Sequence, residues 1–332
     1  MWLIAAYYAA ALFAVIRRSA LAALALVVAA GVMLAGTRPT SRDAVAPARL
    51  PLRIVVLDVG QGDATVVLLP GGRTLLVDTG GLAPLSTGLD PAEAAPGFDV
   101  GERVVAPAMR ALGVRTLDHL VVTHGDPDHI GGVRGVLRHF RPRSLWEGVP
   151  VPPHGGLRAL AAATRQAGIS WRTVQAGDVE RFGEVEVRAH HPPLPEWERQ
   201  RIRNEDSIVL EVRLGTVSII LPGDIGREGE RAILPRLEPG RTVVLKAPHH
   251  GSATSSTPEL LAALRPSAVI FSCGRNNRFG HPHAAVVERY RALGTAMFST
   301  AEDGAVFVET DGRVVEVRGF TGRQLSIDRR TP

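Results

Sequence analysis

Short β-branched, apolar runs bounded by Gly- and Pro-rich turns recur along this chain, and stretches with a repeat near four lie between them. The first pattern predicts strands at residues 53–58, 64–69 and 74–78, with Gly60-Gln61-Gly62-Asp63 and Pro70-Gly71-Gly72 as turns between them. Residues 82–101 are rich in Pro and Gly and read as a long surface loop. Residues 104–112 read as a helix closed by Gly113. The apolar run 117–122 reads as a buried strand, and Ile130, Val133, Val136, Leu137 and Phe140 follow it at helical spacing. Further strands are expected at 144–147, 185–190, 207–213, 217–221, 243–246 and 268–272. Helices are expected at 156–167, 227–234, 258–264 and 283–293, with an irregular insertion at 191–204. Residues 295–320 read as three short strands with turns at Asp303-Gly304 and Asp311-Gly312. Two blocks follow one another, each opening with strands and then alternating strand and helix. That order predicts an α/β architecture of two mixed sheets packed face to face with helices outside.

The first 36 residues differ. Two apolar runs, 2–16 and 19–36, flank Arg17-Arg18. The second is about 27 Å long as a helix, close to a bilayer core. A hairpin of two spans, a single span and a signal peptide are all open, with a buried helix pair as the soluble alternative. No clear small-x-small cleavage site is present, which favours a membrane anchor. Arginines on both flanks leave sidedness open. Residues 37–51 read as a linker, 52–320 as the compact domain and 321–332 as a tail.

Composition adds three constraints. The chain of 332 residues is 45% apolar and 21% charged, so it can bury a core and is not a disordered polymer. Its single cysteine, Cys273, excludes an internal disulfide and a Cys-based zinc cluster. Net charge is +5, and Lys246 is the only lysine, so the positive charge is almost all arginine. Arginine suits phosphate, though coding bias in an Ala/Gly/Arg/Pro-rich chain gives the same composition.

The candidate chemistry lies where strands stop. Thr123-His124-Gly125-Asp126-Pro127-Asp128-His129 places two histidines and two aspartates on one loop between a buried strand and a helix. A polar turn with Asp126 as N-cap and Pro127 at the first helical position explains one aspartate and the proline, but not the two histidines. A second apolar strand stops at Pro222-Gly223-Asp224, and a third at Lys246-Ala247-Pro248-His249-His250-Gly251-Ser252. Asp224 has a helix cap as its plain alternative, and His249 and His250 have ordinary loop roles. Three strand ends carrying His or Asp together point to a metal site on a rigid scaffold.

His124-x-Asp126-x-Asp128-His129, Asp78-Thr79-Gly80, Asp224 and His250-Gly251 together resemble the motif set of the metallo-β-lactamase superfamily. Residues 57–63, Leu221-Pro222-Gly223-Asp224, residues 248–252 and Gly280-His281-Pro282 are similar to the C-terminal domain of ComEC-type DNA-uptake proteins. The resemblance spans about residues 53–319. It implies an αββα sandwich with two divalent metal ions. His124, Asp126, Asp128, His129 and His250 would be ligands, Asp224 would bridge, and Asp78 would support them from outside. Asn204 falls where the superfamily usually has a histidine, and Asp126 replaces another. An oxygen-rich ligand set makes manganese as plausible as zinc.

Asp128 and Asp224 would then carry catalysis. His249 and His281 would contact phosphate or pass a proton, with a structural role as the alternative for each. Gln61, Asp63 and Ser252 would line the cleft, and a tight Gly-x-Gly turn is the alternative for the first two. The implied activity is a membrane-anchored phosphodiesterase or nuclease acting on DNA outside the cytoplasmic membrane. The chain holds at most two spans, so a separate channel protein is expected to conduct DNA. A fragment of a longer channel protein fits equally. The alternatives are hydrolysis of a small or envelope-polymer phosphodiester, as by a phosphorylcholine esterase, and a non-catalytic binding module of an uptake complex. Asp126 argues against β-lactam hydrolysis.

Overall fold

The computed structural model describes residues 8–9, 51–81, 98–193 and 198–328. The predicted membrane segment 1–36 but for residues 8–9, the linker 37–51 but for its last residue, and most of the predicted loop 82–101 lie outside the described residues. No helix among those described is long and apolar enough to cross a membrane.

Among the described residues sixteen strands run in chain order: β1 (Leu52–Val56), β2 (Thr65–Leu68), β3 (Thr74–Val77), β4 (His119–Val122), β5 (Ser144–Glu147), β6 (Ser170–Thr173), β7 (Val179–Phe182), β8 (Val185–His191), β9 (Val209–Leu214), β10 (Val217–Leu221), β11 (Thr242–Lys246), β12 (Ala268–Phe271), β13 (Ala296–Ser299), β14 (Val306–Thr310), β15 (Val314–Gly319) and β16 (Gln324–Asp328). A nine-stranded sheet has the order β16-β15-β14-β1-β2-β3-β4-β5-β6, and a seven-stranded sheet the order β13-β12-β11-β10-β9-β8-β7. In each, one half is antiparallel and the other parallel: β3 to β6 in the first, β10 to β13 in the second. Parallel neighbours need crossovers, and the helices Gly155–Gln166, Pro258–Leu264 and Ala284–Ala292 lie in them.

The two-residue repeat explains the layering. Leu52, Ile54 and Val56 of β1 meet Ile219, Val244 and Ile270 of the other sheet in one central core. Val55 points the other way, into a second core with Met109, Val133 and Leu160. Ile220 likewise leaves its neighbours Ile219 and Leu221 and packs with Leu260, Val286 and Tyr290. Three cores between four layers make an αββα sandwich, as the alternation predicted.

Three details differ from the sequence reading. β6 and β7 were not expected; their pattern is largely polar because both are half exposed at sheet ends. β13 joins the seven-stranded sheet, after which the chain crosses back and β14 pairs with β1, so Asp303-Gly304 is not a hairpin turn. Residues 324–328, read as tail, form β16 against β15, with Leu325 and Ile327 packed on the central core.

Candidate metal centre

Parallel strands put their carboxyl ends at one edge of a sheet, where loops can carry chemistry. Asp78 follows β3, residues 123–129 follow β4, Asp224 follows β10, and His249 and His250 follow β11. The two sheets bring these ends together. Asp224 Oδ2 lies 3.3 Å from His129 Nε2, 3.2 Å from His250 Nε2 and 3.8 Å from His249 Nε2. Asp128 Oδ2 lies 3.4 Å from His250 Nε2.

Each buried ring is held by its far nitrogen. His129 Nδ1 bonds Asp78 Oδ2 at 2.7 Å, and Asp78 also accepts from the Thr123 amide and hydroxyl at 2.8 and 2.7 Å. His250 Nδ1 donates to the Ser272 carbonyl at 2.8 Å. His124 Nδ1 lies 3.2 Å from Thr123 Oγ1 and 3.3 Å from Ser207 Oγ. The Nε2 atoms of His124, His129 and His250, with Asp224 Oδ1 and Asp63 Oδ1, are buried without a hydrogen-bond partner. Unpartnered buried donors and acceptors are costly, so several converging on one point mark a place built for a ligand. Donor atoms of His124, His129 and Asp224, of Asp128, His129 and His250, and of Asp63, Asp224 and His250 form groups with all members within 4.8 Å. These imidazole and carboxylate sets suit divalent cations.

The backbone is bent to deliver them. Asp78, His249 and His250 have φ of 58°, 49° and 55°, a left-handed conformation that side chains rarely adopt. Gly62 has φ of 127°, and a Cβ there would stand 2.3 Å from the Asp128 carbonyl, so only glycine lets the two loops touch.

Charge in the centre is balanced by a group the sequence reading passed over. The Lys246 ammonium pairs with Asp63 Oδ2 and lies 3.7 Å from Asp224 Oδ1, with all three residues buried. Burial would raise the Asp63 carboxyl, but Lys246 and then His250 hold it below the ordinary carboxylate range. Asp224 is held well below that range against its burial by His250 and His129. Conversely, Asp224 with Asp78 and Asp224 with Asp63 hold His129 and His250, respectively, well above the ordinary imidazole range against their own burial. The signal for Lys246 was present: the chain's one lysine ends a wholly buried strand directly after the apolar run Val243-Val244-Leu245.

The other predicted residues take places around this centre. Asp126 is at its rim, 3.3 Å from His124 Nε2. It occupies the N-cap position of Pro127–Ile130 without capping it through its side chain. Asp224 does not cap the next helix either; Glu205 does, accepting from the Gly226 and Gly229 amides at 3.1 and 2.7 Å. Asn204 Nδ2 donates to His249 Nε2 at 3.2 Å and belongs to none of the donor groups. The Gln61 side chain accepts from the Gly274 amide and so joins two loops, whereas Ser252 Oγ meets Thr254 Oγ1 within its own loop. His281 stacks on His250 with ring centroids 6.1 Å apart, and its Nδ1 is buried and unpartnered. Burial, then the charges of His250 and His249, lower His281 to about 4.

The profile of the Metallo-beta-lactamase superfamily matches residues 57–275. The chain is 33% identical to ComE operon protein 3 of Bacillus subtilis over 266 residues, 78% of this chain and 33% of that protein. It is 28% identical to competence protein ComA of Neisseria gonorrhoeae, over 76% of this chain and 31% of that protein. It thus spans about a third of the length of these curated relatives. The metallo-β-lactamase fold protein YhfI from Bacillus subtilis is similar in structure, with a TM-score of 0.46, 9% identity and coverage of 76% of this chain and 98% of that one. By the match over its two sheets and its metal-capable His/Asp centre, this chain belongs to the metallo-β-lactamase superfamily.

Proposed function

We propose that the centre holds two divalent cations, zinc or manganese, and hydrolyses a phosphodiester bond in DNA. The observation that carries this is the convergence of the buried, unpartnered His124, His129 and His250 Nε2 atoms on Asp224. His124, Asp126, Asp128, His129, Asp224 and His250 would hold the ions. When bound, divalent cations supply acidified water and offset charge on phosphoryl oxygens. The chain's own residues set the geometry. Asp78 and the Ser272 carbonyl fix His129 and His250 so that Nε2 of each faces the centre. In the hydrolysis, a water oxygen bonds to phosphorus, the bond to the leaving oxygen breaks, and that oxygen takes up a proton. His281, neutral at pH 7, offers a hydrogen bond from its open Nδ1 to a phosphoryl oxygen, and the proton that the leaving oxygen takes up is the one the attacking water gives up. Burial likewise lowers His249, which Asn204 orients.

DNA as substrate is supported by the names of the competence-protein relatives and by a chain whose positive side chains are nearly all arginine. A membrane anchor within residues 1–36, a domain facing outward and a separate channel partner belong to the same proposal. The test is hydrolysis by the full chain of single-stranded DNA, duplex DNA and a small phosphodiester, each with manganese and with zinc. Metal-dependent DNA cleavage lost in Asp224→Ala is expected. Turnover of the small ester alone would transfer the proposal to an envelope or small-molecule phosphodiester. No turnover of any substrate would leave a binding module.

A further inference from the structure

We propose that residues 274–283 form a subsite for an unpaired nucleobase, with Phe279 as its stacking platform. This deepens the reading of the centre as a DNA phosphodiesterase and rests on it. Phe279 is 46% exposed, yet its ring is not a stray surface group. It lies nearly parallel to His281, with centroids 5.7 Å apart and planes at 22°. His281 in turn stacks on the buried His250, with planes at 26°. Three rings therefore step outward from the donor cluster, and the outermost is partly exposed, with the Arg278 guanidinium over its ring.

The platform is held rigid. Asn277 Oδ1 accepts from the Phe279 and His281 amides at 3.2 and 3.0 Å, and Asn277 Nδ2 donates to the Gly274 and His281 carbonyls at 2.9 and 2.6 Å. Gln61 ties Gly274 to the loop after β1, and the His283 amide donates to Gly251 beside His250. A loop fixed in this way loses little backbone entropy when its aromatic side chain is engaged, which is what a recognition surface needs. The Arg278 guanidinium lies over the Phe279 ring, 4.9 Å from its centroid, so a stacking base takes its place there and the cation shifts to the adjoining phosphate. The same loop borders a cleft of about 890 Å³ whose lining includes His281, Arg275, Arg291 and Arg323, with Glu302 as its acidic member. An aromatic face beside an arginine-lined cleft matches alternating bases and phosphates of a single strand.

In a duplex the base faces are already stacked on one another, so this platform selects single-stranded DNA or a frayed end. The order of events is a phosphate at the centre and the neighbouring base on Phe279.

The test compares Phe279→Ala and Phe279→Trp in the full chain. Substrates are a thymidine oligonucleotide and an abasic oligonucleotide of the same length. Phe279→Ala should reduce the preference for the base-bearing strand about ten-fold, chiefly through KM, and Phe279→Trp should restore it. A 2-aminopurine placed next to the cleaved phosphate should be quenched by wild type and not by Phe279→Ala. Unchanged preference and quenching in Phe279→Ala, with wild type still cleaving both strands, would overturn the subsite and leave the phosphodiesterase standing. Failure of wild type to cleave either strand would overturn both.

Discussion

A buried carboxylate is tolerable only with a partner, and at the scale of single residues that rule organises the centre. Asp63 and Lys246 compensate each other inside the fold. Lys246→Met should therefore destabilise the protein by about 3 kcal/mol in urea unfolding, because it leaves an unpaired buried charge. Replacing both residues with apolar ones should recover much of that loss. Asp78 acts one bond further out. It holds the His129 ring by Nδ1, so Asp78→Asn should weaken metal binding about 10- to 100-fold while the fold persists. Calorimetric titration of the metal-stripped protein with manganese or zinc reads this directly.

Within elements, hydrogen bonds and edges decide stability. Glu211 on β9 is buried between the neighbouring strands. His190 on β8 bonds it at 2.8 Å, and Ser218 on β10 and Arg213 on its own strand also donate to it. Burial alone would raise its carboxyl; these bonds outweigh burial and lower it from 4.5 to about 2. A folded pKa below the unfolded one stabilises fully above about pH 4.5, and the gain fades as pH falls through about 2. Acid unfolding of Glu211→Gln should lack this contribution, of order 3 kcal/mol, and show a flatter slope across that window. At the other sheet, β16 covers the edge of β15. Ending the chain at Phe320 removes Leu325 and Ile327 from the core and should cost roughly 2 kcal/mol. It also bares β15, so aggregation on heating should increase, as light scattering would register.

Across the whole molecule, the proposed substrate sets a salt dependence. Arginines that release counterions from DNA make affinity fall linearly with the logarithm of salt concentration. Binding of single-stranded DNA by the metal-free protein should follow such a line, and Arg275→Ala with Arg291→Ala should shallow its slope. A slope unaltered by these changes would place the strand elsewhere on the surface.

Local pattern alone determined a good deal here. Apolar runs as short as β1 and β10 mark buried strands whose successive side chains take opposite faces, because a strand has only two faces. Histidines and aspartates at the ends of β4, β10 and β11 announce a site for the same reason: a buried strand has no use for them until it reaches solvent or a ligand. Distance in sequence hides what remains. Whether Asp126 caps a helix or faces His124 depends on a ring orientation set by Thr123 and Ser207. The capping role that was the plain alternative for Asp224 belongs to Glu205, nineteen positions earlier in the chain. β16 is hidden because three of its five residues are exposed, and Lys246 because a cation in a buried strand makes sense only once Asp63 arrives from the opposite sheet. Periodicity is a property of neighbours along the chain and can be read there. Charge compensation and the convergence of ligand atoms are properties of neighbours in space, and only the packing of one sheet on the other creates those neighbours.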